Sequence, residues 1–260
     1  MHILVTNDDG VTARGLLALA QAMRKIPGSQ VSILAPHRNW SITGHVKTFD
    51  RPLRVWEVRL ADGTRALASD GAPSDCVSLA LLGLLEQPVD LVVSGINPNP
   101  NVGHDVTYSG TVTAAMEAVI AGVPAIAVSL DRRGQDEAQV DYGPAAEIAR
   151  QISVWVLEHG LPPEVLLNVN VPALPAEALG RVRLTRLGKR IYRDQLVRRL
   201  DPAGRPYYWY GGEEPTGVPE EGTDIGALAR GEVSVTPLQM DMTAQGAWHK
   251  LAGLEKLGQA

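Results

Sequence analysis

The sequence predicts an α/β fold: a Rossmann-like, mostly parallel sheet with helices on both faces, followed by a C-terminal β-hairpin and helix arm. Apolar strand-like runs alternate with helical stretches along residues 1–180. Such alternation is typical of parallel sheets built from strand–helix–strand units. From about residue 181 the pattern changes to polar, aromatic and Gly/Pro-rich segments. We therefore divide the chain into an α/β core, residues 1–180, and a C-terminal extension, residues 181–260.

Short apolar runs bounded by turn residues predict the strands of the core, and apolar residues at helical spacing predict its helices. In chain order the core has strand 2–6, helix 15–23, strand 30–35, hairpin strands 55–58 and 64–68, helix 73–85, strand 90–94, helix 111–121, strand 125–129, helix 144–159 and strand 166–169. The hairpin is assigned because Asp62-Gly63 is a common turn signal, and Pro73 favours the first turn of the helix after it.

The extension contains less regular signals. It has extended segments at 181–187 and 233–235, the aromatic run 207–210, a Gly/Pro/Glu-rich loop and a last helix near 244–257. Stacking on a nucleobase is one use for the aromatic run. Pairing with another strand or contact with another subunit explains it more economically.

Composition limits the classes of protein to which the chain can belong. With 260 residues, of which 45% are apolar, it can bury one substantial core. A net charge of −5 disfavours binding to nucleic-acid polymers and membrane surfaces. No apolar run approaches the roughly 18 residues of a membrane span, and no charged-then-apolar leader opens the chain. Cys76, the only cysteine, is expected to be a buried structural thiol. We expect a soluble cytoplasmic protein.

The adjacent aspartates Asp8 and Asp9 follow the first predicted strand directly. Ligands of parallel α/β sheets bind beyond the carboxyl ends of the strands. Two neighbouring carboxylates repel each other, so one is protonated or a cation lies between them. Carboxylate oxygens suit Mg²⁺ or Mn²⁺, which predicts a metal site here. The alternative is an ordinary strand-to-helix turn, because Asp9-Gly10 is also a turn signal.

Two more loops follow strands and carry matching chemistry. The Asn-rich loop after strand 90–94 includes Asn97 and Asn101, and its amide oxygens suit a hard cation. It leads into Ser109-Gly110-Thr111, where the start of a helix and two hydroxyls form a candidate cradle for one phosphate. Helix capping by these hydroxyls is the alternative.

The loop after strand 30–35 offers a hydroxyl oxygen from Ser41, a guanidinium from Arg38 and an imidazole from His45. Each residue alone is a weak signal, since loop serines and histidines are usually solvated. Their position at a third strand end favours a shared site.

Five segments of the chain resemble signature motifs of the survival-protein-E (SurE) nucleotidases. They are Ile3-Leu4-Val5-Thr6-Asn7-Asp8-Asp9-Gly10, Gly71-Ala72-Pro73-Ser74-Asp75, Ser94-Gly95-Ile96-Asn97, Tyr108-Ser109-Gly110-Thr111-Val112 and Ser234-Val235-Thr236-Pro237-Leu238. The spacing of Asn101, Gly103 and Asp105 is similar as well. The motifs occur in the same order and extend over most of the chain.

The resemblance implies a metal-dependent phosphatase that acts on nucleoside 5′- or 3′-monophosphates, with Mg²⁺ or Mn²⁺ as cofactor, one per subunit. Carried over by motif, the metal ligands are Asp8, Asp9, Ser41 and Asn97, and the phosphate is bound by Asn97, Ser109, Gly110 and Thr111. Asn101 is a further candidate for substrate binding. The resemblance also implies a homodimer or homotetramer paired through the C-terminal arm, with a small-molecule nucleotide as substrate.

The chain departs from the family pattern at several positions in or near these motifs, including Ala72, where the family usually has Thr and to which we assign no consequence. Trp40 stands where the family usually has Arg, Ile42 where it has Gly, and Asn99 where it has Gly. Asn tolerates the left-handed backbone region better than most residues do. The changes at Trp40 and Ile42 bear on substrate preference more than on metal binding.

Two routes are open for the chemistry. Asp8 or Asp9 either activates a metal-associated water or attacks phosphorus itself to form an aspartyl-phosphate, and we favour the water route with Asp9 assisting. His45 and His104 are candidates for protonating the leaving oxygen. Competing functions are a phosphatase acting mainly on polyphosphate or sugar phosphates and a non-catalytic nucleotide-binding module.

Overall fold

Two sheets organise the chain in the computed structural model, which describes residues 1–257. These residues form strands β1 (His2–Thr6), β2 (Gln30–Pro36), β3 (Val55–Arg59), β4 (Arg65–Ser69), β5 (Leu91–Asn97), β6 (Ala125–Asp131), β7 (Val165–Pro172), β8 (Val182–Leu184), β9 (Arg190–Leu200), β10 (Pro206–Gly217) and β11 (Val233–Gln239). Nine strands form the main sheet in the order β3-β4-β2-β1-β5-β6-β7-β11-β8, and β9 pairs with β10 in the second sheet.

Neighbouring strands of the main sheet run parallel, except that β3 pairs antiparallel with β4 and β11 pairs antiparallel with β7. This arrangement confirms the predicted mostly parallel sheet. The carboxyl ends of β1, β2 and β5 lie next to each other, because β1 pairs with both of the other two.

Helices cover both faces of the main sheet. The helices are α1 (Arg14–Met23), α2 (Pro73–Leu79), α3 (Gly110–Ile120), α4 (Gly143–His159), α5 (Asp224–Ala229) and α6 (Trp248–Leu251). Successive side chains of a strand point to opposite faces, so Ile3 and Val5 pack with α1 and α4, whereas Leu4 packs with α2 and α3. Cys76 is a buried free thiol on the same side of the sheet as Leu4, as expected.

Two predicted helices differ from the observed ones. The helix predicted over 73–85 ends as an α-helix at Leu79 and continues as a π-helical turn over Ala80–Leu84, where Gly83 has a φ of 113°. A glycine in this region interrupts a regular helix because its backbone leaves the right-handed conformation. The helix predicted near 244–257 consists of short pieces, of which Trp248–Leu251 is the only α-helical one among the described residues.

The C-terminal extension contributes to both sheets. Strands β8 and β11 lie in the main sheet, while β9 and β10 form a separate antiparallel hairpin. The aromatic run 207–210 lies in β10 and pairs with β9, and β10 also takes in part of the predicted loop, up to Gly217. The end of the predicted extension, residues 258–260, lies outside the described residues. Within residues 1–257, no helix is both long enough and apolar enough to cross a membrane.

Candidate active site

A cavity of about 580 Å³ lies at the carboxyl ends of β1, β2 and β5. Its volume is in the range of small-molecule sites, which is roughly 300–1,000 Å³. Six of the eight sequence-predicted site residues line this cavity, and the other two, Gly110 and Thr111, directly follow Ser109 at the start of α3. Asp8, Asp9, Ser41, Asn97, Asn101 and Ser109 line the cavity. The loops after three neighbouring strands thus converge as predicted, because parallel strands end at one edge of the sheet.

Asp8 and Asp9 differ in their surroundings. Asp8 is buried, and its Oδ1 accepts a hydrogen bond of 2.5 Å from the Thr111 hydroxyl. Burial raises the pKa of Asp8, although Thr111 and the backbone N–H of Gly110 favour the charged form. Burial, followed by the charges of Asp8 and Glu137, raises the pKa of Asp9 to about 8.

The residues present fit a divalent cation at this place. Oδ2 of Asp9 is buried and has no hydrogen-bond partner among the described residues. A buried carboxylate oxygen without a donor is costly unless a cation or a proton meets it. The described residues contain no group of three or more His, Cys, Asp or Glu that could hold a metal. A cation here would therefore use neutral oxygens from Ser41 and Asn97 beside the two carboxylates, a donor set that suits Mg²⁺ or Mn²⁺.

The start of α3 lies directly against Asp8. A Cβ on Gly110 would lie 2.7 Å from the Asp8 Cβ, so only glycine fits at this position. The Ser109 hydroxyl oxygen caps the helix by accepting from the backbone N–H of Val112 at 3.1 Å. The Thr111 hydroxyl donates to Asp8, as described above. Both hydroxyls of the predicted cradle thus have partners within the protein. The backbone N–H groups at the helix start remain the principal donors for an anion.

The Asn-rich loop is held by hydrogen bonds to β6 and β7. Asn101 donates through Nδ2 to the Ser129 hydroxyl at 2.7 Å, and its carbonyl accepts from Asn168 and Asn170. Its side chain therefore anchors the loop at the cavity wall. Asn97 donates to the carbonyl of Asn99 at 2.6 Å, an arrangement that leaves its amide oxygen for another ligand.

The loop after β2 carries two of the departures from the family pattern, Trp40 and Ile42. Ile42 lines the cavity and has a φ of 61°, in the left-handed region where glycine is favoured. Asn99, in contrast, is not among the residues with positive φ. The Arg38 guanidinium lies 5.3 Å from the centre of the Trp40 ring, and Trp40 donates its backbone N–H to the Asp8 carbonyl at 2.8 Å. This stacking and this hydrogen bond tie the loop to the end of β1.

The two candidate histidines are not among the cavity-lining residues, although His104 directly precedes Asp105, which is. His45 contacts Glu117 of α3 at 3.0 Å through Nε2, and neither His45 nor His104 lines the cavity. Glu117 is buried and also accepts from Lys47 and Ser78. Its interaction with His45, together with these two donors, lowers the pKa of Glu117 to about 2. This cluster connects the loop after β2 to α3.

The sequence did not predict that the hairpin reaches the same cavity. Arg190 and Tyr192 of β9 line it together with Asp105 and Tyr108. Asp105 accepts from the Arg190 Nε at 2.7 Å and from the Tyr192 hydroxyl at 2.5 Å. Arg190 and Tyr192 are two positions apart, so they face the same side of the strand. Their spacing in the sequence predicts that the two side chains share a face of the strand. It does not predict which part of the core that face contacts.

Asp224 of α5 joins the Asn-rich loop to the base of the hairpin. Its buried carboxylate accepts from the backbone N–H of Gly103 at 2.8 Å and from that of Gly188 at 2.7 Å. A Cβ on Gly103 would lie 2.6 Å from the Gly188 carbonyl oxygen, so the two backbones approach as closely as glycine permits. The loop and the hairpin are therefore fixed to each other beside the cavity.

Comparisons with known proteins show which proteins this chain is similar to. The family model described as "Survival protein SurE" matches residues 3–194. A protein from Herpetosiphon aurantiacus named 5′-nucleotidase SurE is 54% identical over 243 residues, which are 94% of each chain. One of the same name from Chloroflexus aggregans is 52% identical, covering 94% of this chain and 95% of the other. The crystal structure of the SurE protein from Aquifex aeolicus superimposes with a TM-score of 0.83 at 39% identity, over 98% of this chain and 100% of that one.

Proposed function

The chain belongs to the survival protein SurE family, and on that basis we propose that it hydrolyses nucleoside 5′-monophosphates to nucleoside and phosphate. It is a phosphoric monoester hydrolase of the 5′-nucleotidase type. We also propose that it accepts 3′-monophosphates and requires one Mg²⁺ or Mn²⁺ per subunit. One observation carries the proposal in the structure: the paired carboxylates of Asp8 and Asp9 lie in a cavity beside the N-terminus of α3.

We assign the residues of the cavity to two tasks. Asp8, Asp9, Ser41 and Asn97 would hold the cation, which supplies positive charge that stabilises the phosphate oxygens during displacement. Backbone N–H groups at Gly110 and Thr111, with Ser109, bind the phosphate at the positive end of α3. Asn101 keeps the Asn-rich loop in place through its hydrogen bond to Ser129.

Asp9 is our candidate for taking the proton of the attacking water. Its Oδ2 has no hydrogen-bond donor among the described residues, whereas Asp8 is engaged by Thr111. The alternative is direct attack on phosphorus by one of the two carboxylates. A covalent phosphate trapped on an aspartate during turnover would favour that alternative over the water route.

The experiment that tests the function is phosphate release from AMP, ribose 5-phosphate and tripolyphosphate, with each cation and after exhaustive chelation. We expect AMP to be preferred, chelation to abolish release, and Mg²⁺ or Mn²⁺ to restore it.

Asp9→Asn should lower kcat at least a hundredfold, and Asp50→Asn, at an exposed position, should not lower it. If the enzyme prefers tripolyphosphate or ribose 5-phosphate to AMP, nucleotides are not its main substrates and the preferred compound gives the substrate class. Binding of AMP without release by the wild type would support a non-catalytic module.

We further propose that subunits pair through the hairpin of β9 and β10. Tyr208, Tyr210 and Leu196 are exposed, and the register pairs Tyr210 with Leu196 on one face of the hairpin. Exposed apolar surface of this kind favours contact with another protein chain. Light scattering should give the mass of a dimer or tetramer, and Tyr210→Asp should lower it. A monomeric wild type would contradict the pairing. The cytoplasmic location stays a prediction.

A further inference from the structure

The cavity has a second group of lining residues that the phosphate chemistry does not use. Asp105 and Tyr108 come from the end of the Asn-rich loop, and Arg190 and Tyr192 come from the hairpin. Tyr108 directly precedes Ser109, so this group begins beside the predicted phosphate site. A phosphomonoester in that site must extend its leaving group along the remaining wall of the same cavity.

Two of these residues present aromatic rings to solvent. Tyr108 is 57% exposed and Tyr192 is 39% exposed, although both line a cavity. Both tyrosines contact Asp105: the backbone N–H of Tyr108 donates to its carbonyl at 3.0 Å, and the Tyr192 hydroxyl donates to its carboxylate at 2.5 Å. Adjacent exposed rings at a ligand cavity suit a planar aromatic partner, since stacking on aromatic side chains is a common way in which proteins bind bases.

The position of Tyr192 is fixed by a charged partner. Both oxygens of Asp105 are engaged, one by the Tyr192 hydroxyl at 2.5 Å and the other by the Arg190 Nε at 2.7 Å. The side chains of Arg190 and Asp105 are only 19% and 20% exposed, so water screens this ion pair less than one at the surface. Hydrogen bonds to a charged group are among the stronger ones, and they hold the ring against the cavity wall.

We propose that Tyr108 and Tyr192 form the surface that binds the nucleobase of the substrate, and that Asp105 acts as the positioning residue that holds Tyr192 there. This inference rests on the proposed nucleotidase function and deepens it. It assigns the preference for nucleotides over sugar phosphates to the hairpin and its contact with Asp105. The aromatic run 207–210, which lies in β10 outside the cavity lining, does not take part.

The test compares kcat/KM for AMP with kcat/KM for ribose 5-phosphate, which has the same phosphate and sugar but no base. In Tyr192→Leu we expect the ratio of the two values to fall roughly tenfold to a hundredfold, mainly through KM for AMP. Tyr207→Leu removes an exposed ring from the same hairpin outside the cavity and should leave the ratio unchanged. Thermal melting of each variant shows that it is folded.

The positioning role of Asp105 has its own readout. Asp105→Ala should lower the same ratio, and Asp105→Asn should restore part of it, because an amide can still contact the Tyr192 hydroxyl. In the double variant with Tyr192→Leu, Asp105→Ala should lower the ratio no further, since Asp105 acts through Tyr192. Additive losses would overturn the positioning role.

Two outcomes separate the inference from the function on which it rests. If Tyr192→Leu lowers kcat/KM equally for AMP and ribose 5-phosphate, or for neither, the assignment of the base-binding surface is wrong while the nucleotidase function stands. If the wild type releases no phosphate from AMP with either cation, the proposed function fails and the inference fails with it.

Discussion

The Thr111 hydroxyl donates a hydrogen bond of 2.5 Å to Oδ1 of Asp8, joining the first turn of α3 to the end of β1. Both residues are buried, and a carboxylate there needs a fixed donor to stay oriented. The interaction brings the predicted phosphate site and the predicted metal site into direct contact.

Thr111→Val should lower kcat/KM for AMP by about tenfold or more. The change keeps the shape of the side chain but removes a hydrogen bond to a charged group, which is worth roughly 1.5–3 kcal/mol. Thr111→Ser retains the hydroxyl and is the matched control, with activity near that of the wild type. Steady-state kinetics at saturating Mg²⁺ measure both. Wild-type kinetics in Thr111→Val would show that Asp8 needs no orientation by α3.

Ile42→Gly should raise the free energy of unfolding by roughly 0.5–1 kcal/mol. A side chain with a Cβ is disfavoured at left-handed φ by about 1–2 kcal/mol, which exceeds the entropy that glycine adds to the unfolded chain. Ile42 is 82% exposed, so its removal sacrifices little packing. Ile42→Ala keeps a Cβ and should gain less. Urea unfolding measures the difference, and a loss of stability in the glycine variant would contradict it.

The stability of the protein should depend on pH through Glu117. Contacts with His45, Lys47 and Ser78 hold its pKa at about 2, below the ordinary value of 4.5. Because the folded-state pKa is the lower one, the contribution is complete above about pH 4.5 and is lost as the pH falls from 4.5 towards 2. We expect it to be on the order of 2 kcal/mol, discounted for the partial exposure of Lys47.

The measurement is the difference in unfolding free energy between wild type and Glu117→Gln, taken at pH 6 and again near pH 3. The difference should be larger at pH 6, because the other carboxylates titrate alike in both proteins. Glu57→Gln, an exposed carboxylate on β3, is the control and should show no such change. A difference that is independent of pH would remove Glu117 from the acid response.

Asp224→Ala should destabilise the protein by about 3 kcal/mol or more and loosen the base of the hairpin. The substitution leaves the backbone N–H groups of Gly103, Gly188 and Ile225 without their acceptor, and each buried unpaired donor costs about 1–3 kcal/mol. Limited proteolysis should then cut near residue 188. Asp194→Ala, at an exposed position of β9, should leave the cleavage pattern of the wild type. Unchanged protease resistance in Asp224→Ala would show that other contacts hold the hairpin.

The strand ends were predictable because their signals are local. Asp8 and Asp9 follow an apolar run, and in a parallel sheet the position of a strand end places its loop at one edge. The same reasoning brought Ser41 and Asn97 to the cavity. The end of the helix near Gly83 was less predictable, since a glycine within an apolar run does not by itself predict a positive φ.

The contribution of the hairpin was not predictable from local pattern. Asp105 and Tyr192 are 87 positions apart, and their contact depends on how the hairpin docks on the loop after β5. Asp224 determines that docking through backbone groups, which carry no sequence signature. The backbone conformation of Ile42 was equally unpredictable from the sequence, because a β-branched residue is not expected at positive φ.

The hairpin leaves and re-enters the core at neighbouring points, since Arg190 at its start is paired with Gly217 at its end. A segment with adjacent ends can be grafted between homologous proteins through two splice junctions without rerouting the chain. Exchange of residues 190–217 between family members would therefore transplant Arg190 and Tyr192 of the proposed base-binding surface, while the host retains Asp105, Tyr108 and its own acidic centre. The contribution of the hairpin to substrate choice could then be measured apart from the residues proposed to cleave the phosphate ester.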